Sequence, residues 1–261
     1  MIWSMKSNKL KRFLYILILL SAPILSYGND QVNTLFSKGN AFYAKGQYKE
    51  AITTYQSVLN DGYQSAGLYF NLGNAYYKSG DVTSAILYYE KAHKLSPGDE
   101  DINFNIRFAN LKTTDKIDEA PEFFLESWWR KVILTFSIST LAFFTVLLVL
   151  SASAIFIVYL FGNSVAVKKS SFYTSVVLFS LALFTWFISG RQSSYFNSHK
   201  QAVVFSSSVT VKSGPNDGSG TLFVLHDGTK INILENYNNW IKIKLVNGNQ
   251  GWVKARDIKE I

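Results

Sequence analysis

A chain of 261 residues with a formal net charge of +8 has room for two small domains beside anything it places in a membrane. The absence of cysteine excludes disulfides, thiolate chemistry and cysteine metal sites, and leaves the redox compartment open. The positive balance does not point to nucleic acid. Residues 1–28 carry +4, 29–131 carry −2, 132–190 carry +2 and 191–261 carry +4, with no block of five or six like charges.

The N-terminus reads as a secretory signal peptide over 1–28. Lys6, Lys9, Lys11 and Arg12 form a positive region, residues 13–25 an apolar one, and Ser26-Tyr27-Gly28 places small residues at the −3 and −1 positions of a cleavage site. An uncleaved anchor is the alternative. Pro23 in the apolar run and the polar stretch from Asn29 favour cleavage.

Residues 29–115 repeat with a period of 34. Gly39-Asn40-Ala41 recurs as Gly73-Asn74-Ala75, Ala51-Ile52 as Ala85-Ile86, and Tyr55 as Tyr89. Gly73 and Ala85 are small enough for two helices to approach closely, Tyr76 and Tyr89 fill the space beside them, and Pro97 stops the second helix. The first copy is degenerate, with Lys38 in place of Leu72 and Tyr63 in place of Pro97. A fifth helix over 101–111 lacks the Gly and Ala signature and reads as a cap over the last apolar face. These offsets resemble the tetratricopeptide (TPR) family. The resemblance implies a concave groove for peptides, with Phe36, Asn40, Tyr43, Phe70, Asn71, Asn74, Tyr77, Asp101 and Asn105 facing it. Inter-repeat packing or plain solvation is the competing role for each. The groove keeps Asn40 and Asn71, but Phe36, Asp101 and Asn105 stand where a carboxylate clamp needs cations. An extended peptide held by asparagines and aromatic walls is therefore the expected ligand.

Residues 116–131 are acidic with an amphipathic second half, and read as a juxtamembrane connector with Phe123, Phe124, Trp128 and Trp129 at the bilayer surface. Two apolar runs follow, 132–161 and 171–190, joined by a loop over 162–170. No Asp, Glu, Lys, Arg or His occurs in either, and each exceeds the ~18 residues that suggest a membrane-crossing helix. Two buried helices of a soluble core are the alternative. If residues 29–131 are translocated, Lys168 and Lys169 lie in the cytoplasm, in accord with the positive-inside tendency. Residues 191–199 then link to a second soluble module on the same outer face. Arg130 and Lys131 sit on the wrong side for that tendency.

Residues 200–261 alternate short β-rich runs with turn signals, as a small all-β module does. Val246-Asn247-Gly248-Asn249 is the strongest hairpin signal, expected as a type I′ turn. Ser213-Gly214-Pro215, Gly228-Thr229, Trp240 and Gly251-Trp252-Val253 resemble bacterial SH3-like (SH3b) domains. That resemblance implies an aromatic groove for peptides or cell-wall material, with Trp240 and Trp252 as candidates and core or edge packing as their commoner role.

The sequence carries no phosphate loop, nucleophile elbow or HExxH motif. His93, His199 and His226 stand apart, with His226-Asp227 read as turn residues, and neither apolar run holds the ionisable groups that mark transport pathways. The expectation is a non-enzymatic protein without cofactor, metal or nucleic-acid partner. Its fold class is a multi-domain membrane protein: a TPR α-solenoid, a transmembrane helical hairpin and a small SH3-like barrel. The order of these pieces, with residues 69–77 and 101–105, resembles the TPR-and-SH3 membrane proteins (BatE type) of the Bacteroidetes-type aerotolerance operon. The resemblance implies an inner-membrane location and partners that carry von Willebrand A domains or belong to a MoxR-type AAA ATPase system. Two roles are expected: a scaffold collecting partner proteins, or an envelope sensor or attachment module whose SH3b domain holds peptidoglycan.

Overall fold

The computed structural model describes residues 30–118 and 120–261, so the signal-peptide reading of 1–28 lies outside the described residues. Five helices form the solenoid: α1 (Asp30–Ala44), α2 (Tyr48–Asn60), α3 (Ala66–Ser79), α4 (Val82–Leu95) and α5 (Glu100–Asn110). Their ends are written locally. Ser65 accepts from the Leu68 N–H, Asp81 from that of Ser84, and Asp99 from those of Asp101 and Ile102, each satisfying donors the first turn leaves free. Gly80 ends α3 at φ +92°, a conformation only glycine adopts without strain. Tyr55, Val58, Leu68 and Leu72 fill one core and Ile86, Leu87 and Tyr89 the next. The small residues act as their spacing implies: a Cβ on Gly73 would stand 2.6 Å from the Tyr89 ring.

The fifth helix covers the last apolar face of α4 and is itself partly uncovered. It buries Ile102 and Ala109 against α4, yet leaves Phe104, Phe108 and Leu111 57, 45 and 71 % exposed. It occupies the place of a repeat's first helix, with Phe104 at the 34-residue offset of Phe36 and Phe70.

Helices α6 (Phe124–Leu134), α7 (Ile138–Phe161) and α8 (Val165–Ser198) follow. The first long apolar helix starts at Ile138, six residues later than the sequence suggests. Val132 belongs to α6, and Ser137 caps α7 by accepting from the Thr140 N–H. The turn is only 162–164, so Lys168 and Lys169 lie on α8 rather than in a loop over 162–170. Nor is 191–199 a linker, because α8 runs on to Ser198. Its 34 residues give a rod of about 51 Å, well beyond the ~30 Å hydrocarbon layer. Small side chains (Ala152, Ser171, Ser175, Ala182) line the contact between α7 and α8, with Thr145 and Thr185 hydroxyls 2.8 Å apart. Phe143, Leu147, Phe184 and Trp186 face outward, and both helices are long and apolar enough to cross a bilayer.

The C-terminal module is one antiparallel sheet in the order β3-β2-β6-β5-β4-β1-β7. Its strands are β1 (Gln201–Val204), β2 (Ser208–Lys212), β3 (Thr221–His226), β4 (Lys230–Tyr237), β5 (Trp240–Lys244), β6 (Gln250–Lys254) and β7 (Ile258–Glu260). Val209, Val211, Leu225, Ile231, Ile243 and Val253 make its core. The turn at Asn247-Gly248 is not type I′. Only Gly248 has positive φ (+94°), and its N–H closes on Leu245 O, as in a type I turn followed by a bulge. The tightest hairpin is instead Tyr237-Asn238-Asn239-Trp240, with Asn238 at φ +51°.

The solenoid and the sheet do not hang apart on linkers. Val203, Phe205 and Ile261 pack into the core of α4 with Ile86 and Leu87. Lys230 Nζ lies 2.6 Å from Glu90 Oε2, and Glu90 is 3 % exposed. Thr83 donates to Asp227 and Lys94 to the Ile261 carbonyl. The chain after α5 is a strap across the sheet rather than a free connector. Ile117 packs on the sheet's core and the Ala120 N–H donates to Val246 O.

Candidate functional site

The concave side of the repeats gathers the sequence-expected groove residues into two equivalent clusters. Tyr55 OH (2.7 Å) and Asn71 Nδ2 (3.0 Å) both donate to Asn40 Oδ1. One repeat on, Tyr89 OH and Asn105 Nδ2, both at 2.8 Å, donate to Asn74 Oδ1. Each tyrosine fills the space above its glycine and reaches the asparagine next in sequence to it, so the 34-residue period becomes a ladder of amides. The side-chain oxygens of Asn40 and Asn74 are thus committed internally. Their Nδ2 groups, and the Oδ1 groups of Asn71 and Asn105, take no part in these bonds.

Burial sets the protonation state of these phenols. It raises Tyr55 to about 12, with Tyr43 adding and Asn71 opposing, and pushes Tyr89 higher still. Neither ionises near neutral pH, so the ladder is held by neutral hydrogen bonds. Phe36 and Phe70 pack against Tyr55 and Tyr89, each with ring centroids 6.0 Å apart, and remain half-exposed. Tyr43 stands edge-on to Tyr48 at 5.5 Å, and Tyr77 lies 5.5 Å from Phe108. Asp101 is exposed at the start of α5.

The groove's C-terminal end contains residues the sequence reading left out. Phe104 and Phe108 stack at 6.1 Å with planes 9° apart, beside exposed Leu111. The signal was present: Phe36, Phe70 and Phe104 are 34 residues apart, as are Tyr43, Tyr77 and Leu111. The groove is therefore amide-rich over the two full repeats and apolar over α5.

On the sheet, Trp240 and Trp252 share the outer face. Trp240 pairs with Lys254, and Trp252 with Lys242 and Lys212, so two half-exposed indoles stand among three lysines. Lys254 lies 5.4 Å from the Trp240 ring centroid and pairs with Asp217 at 2.6 Å. This face is distinct from the edge that docks on α4.

His226 and Asp227 are docking residues rather than simple turn residues. Asp115 on the strap receives the His226 N–H and the Thr229 hydroxyl, both at 2.7 Å, and lies 2.8 Å from His226 Nδ1. Burial opposes ionisation of Asp115, but these donors outweigh it and hold the carboxyl below its usual value. Where α4, the end of α8 and the sheet meet, a cavity of about 10 Å³ is lined by Glu90, His93, Lys94, Phe196, His199 and Ile261. That is room for one water. Burial, helped by Lys230 and opposed by Glu90 and Asn103, lowers the His93 pKa. Among the described residues no group of three or more histidine, aspartate or glutamate side chains is placed to hold a metal ion.

Comparison with known proteins agrees with this division of the chain. Residues 39–80 match a model described as TPR repeat, 66–99 one described as tetratricopeptide repeat, and 207–259 one described as bacterial SH3 domain. No curated protein matches the chain. Among solved structures it is similar to PcrH in complex with the chaperone binding region of PopB, at 12 % identity over 65 % of this chain and 97 % of that one, with a TM-score of 0.31. It is also similar to the Yersinia enterocolitica type III secretion chaperone SycD bound to a peptide of the translocator YopD (16 % identity, 60 % of this chain, 95 % of that one, TM-score 0.30). A further SycD structure matches at 17 % identity, over 62 % of this chain and 90 % of that one, with a TM-score of 0.31. Likeness at this level carries no functional argument. What the family models show is that tetratricopeptide repeats and a bacterial SH3 domain stand on either side of two long apolar helices.

Proposed function

We propose that this chain is a non-enzymatic, membrane-anchored scaffold whose repeat groove holds an extended segment of a partner protein. The observation that carries this reading is the open concave face, where aromatic rows and an amide ladder recur at the repeat period and end in the uncovered Phe104–Phe108 pair. The α7–α8 hairpin is the anchor. The buried contact between solenoid and sheet supports placing both modules on one side of the membrane, the extracytoplasmic side in this reading. By the resemblance drawn from the sequence, the partners are membrane proteins with von Willebrand A domains and a MoxR-type AAA ATPase system serving aerotolerance at the inner membrane.

The test is crosslinking in intact membranes with the wild type and the double variant Asn40→Ala/Asn74→Ala. Crosslinked partner proteins should be lost from the variant while its helicity and its docked sheet are retained. Undiminished crosslinks would dismiss the groove. A second reading, attachment to peptidoglycan, is favoured by the shared Trp240–Trp252 face. Here the detergent-solubilised full chain should sediment with purified peptidoglycan and cease to do so in Trp240→Ala/Trp252→Ala.

A further inference from the structure

Helix α6 has two apolar edges and uses only one of them within the protein. With about 3.6 residues per turn, Phe124, Leu125, Trp128, Trp129, Val132 and Ile133 share one half of its circumference, while Glu126, Ser127, Arg130 and Lys131 hold the other. One side of the apolar half is spent internally: Ile133 is 5 % exposed, Trp129 is half-buried, and the helix packs along α8. The other side is bare. Phe123, Phe124, Leu125 and Trp128 are 65, 76, 58 and 53 % exposed, an apolar surface along the start of an eleven-residue helix.

The occupant of that edge follows from its position. Three residues separate α6 from the first long apolar helix, and Gln192 on α8 donates to the Phe136 carbonyl inside that turn. The helix is thereby fixed at the end of the hairpin, where an apolar belt gives way to polar chain. The helix that follows, α7, carries exposed apolar side chains of its own at Phe143 and Leu147. Its polar half carries Arg130, paired with Glu122, and the exposed Lys131, suited to an anionic headgroup layer.

We infer that α6 is a bilayer-surface brace: Phe123, Phe124, Leu125 and Trp128 enter the boundary between headgroups and acyl chains, and the opposite edge clamps the repeat domain to the anchor. The clamp is visible at Gly98, just after α4. A Cβ there would collide with the Thr135 carbonyl oxygen, so the last full repeat meets the end of α6 backbone to backbone. The groove is thus held at a fixed height above the membrane, which suits partners anchored in the same bilayer. The inference deepens the reading of α7 and α8 as membrane helices and rests on it.

The natural absence of cysteine makes the test direct. Single variants of the full chain, Leu125→Cys, Glu126→Cys and Leu147→Cys, are spin-labelled and reconstituted into phosphatidylcholine–phosphatidylglycerol vesicles. Collision with oxygen is then compared with collision with a water-soluble nickel chelate. The expected result is a several-fold higher oxygen-to-nickel ratio at 125 than at 126, with 147 higher still. If 147 reads as lipid but 125 matches 126, the brace is overturned while the membrane hairpin stands. A label at 125 shielded from both reagents overturns it in favour of a protein contact. Free access of nickel at 147 overturns the hairpin and the brace together.

Discussion

Two glycines six positions apart, Gly67 and Gly73, separate what a repeat requires from what it tolerates. Both lie in α3, and neither has positive φ. A Cβ at Gly67 meets open space, whereas one at Gly73 meets the ring of Tyr89 at 2.6 Å. That ring is tethered through its hydroxyl to Asn74 and is 2 % exposed, so it cannot swing aside. Gly73→Ala should therefore cost about 1–3 kcal/mol through overpacking. Gly67→Ala should stabilise by up to about 1 kcal/mol, since glycine inside a helix loses more chain entropy than alanine. Thermal unfolding of the two variants should move in opposite directions. The glycine, alanine and tyrosine positions were legible in the sequence because each repeat solves one packing problem in the same way. The commitment of the Asn40 and Asn74 oxygens was not, because it depends on a tyrosine fifteen residues away arriving above the helix.

Among the elements, the longest runs of uniform chemistry were the easiest to read and their junctions the hardest. Uncharged Thr135-Phe136-Ser137 leaves no mark in a hydropathy profile, yet it separates α6 from α7 through the Ser137 cap. The strap is a second case. Its contacts join Asp115 to His226 and Thr229, more than a hundred positions apart, through single polar atoms, and no periodicity announces such pairs. One of the docking contacts can be weighed. Glu90 is buried against Lys230, and removing the lysine leaves a buried carboxylate with its ion-pair partner gone. Breaking a buried pair in this way costs about 3–5 kcal/mol, reduced here because Lys230 is 29 % exposed along its side chain. Lys230→Ala should release the sheet from α4 and open the strap over 113–123 to limited proteolysis, while wild type stays resistant. The exchange Glu90→Lys/Lys230→Glu should recover part of that resistance.

At the scale of the whole molecule, the solenoid, the end of α8 and the sheet converge on His93. Glu90 and Lys94 line the small cavity beside its ring, His199 closes it from the end of α8, and His93 Nδ1 is buried without a hydrogen-bond partner among the described residues. The pKa of His93 is lower in the folded protein than in the open chain, so acidification draws more protons onto the open form. The contribution of His93 is complete above about pH 6.5 and is lost as pH falls toward the lowered folded value. Melting temperatures measured between pH 7.5 and 5 should fall for wild type and fall less for His93→Gln. The sequence showed three isolated histidines, and nothing in their spacing marked one as the meeting point of three segments.

The unbroken course of α8 into the sheet has a geometric consequence. Only His199 and Lys200 separate the rod from β1, so the azimuth of the sheet about the axis of α8 is set by residue count. One residue added near the end of α8 would swing the sheet by about 100° and carry its docking edge off α4. Seven would return it to within ~20° of its bearing but raise it by roughly 10 Å, beyond reach of Glu90. The length of that helix is therefore a gauge, and its tolerance is less than one turn.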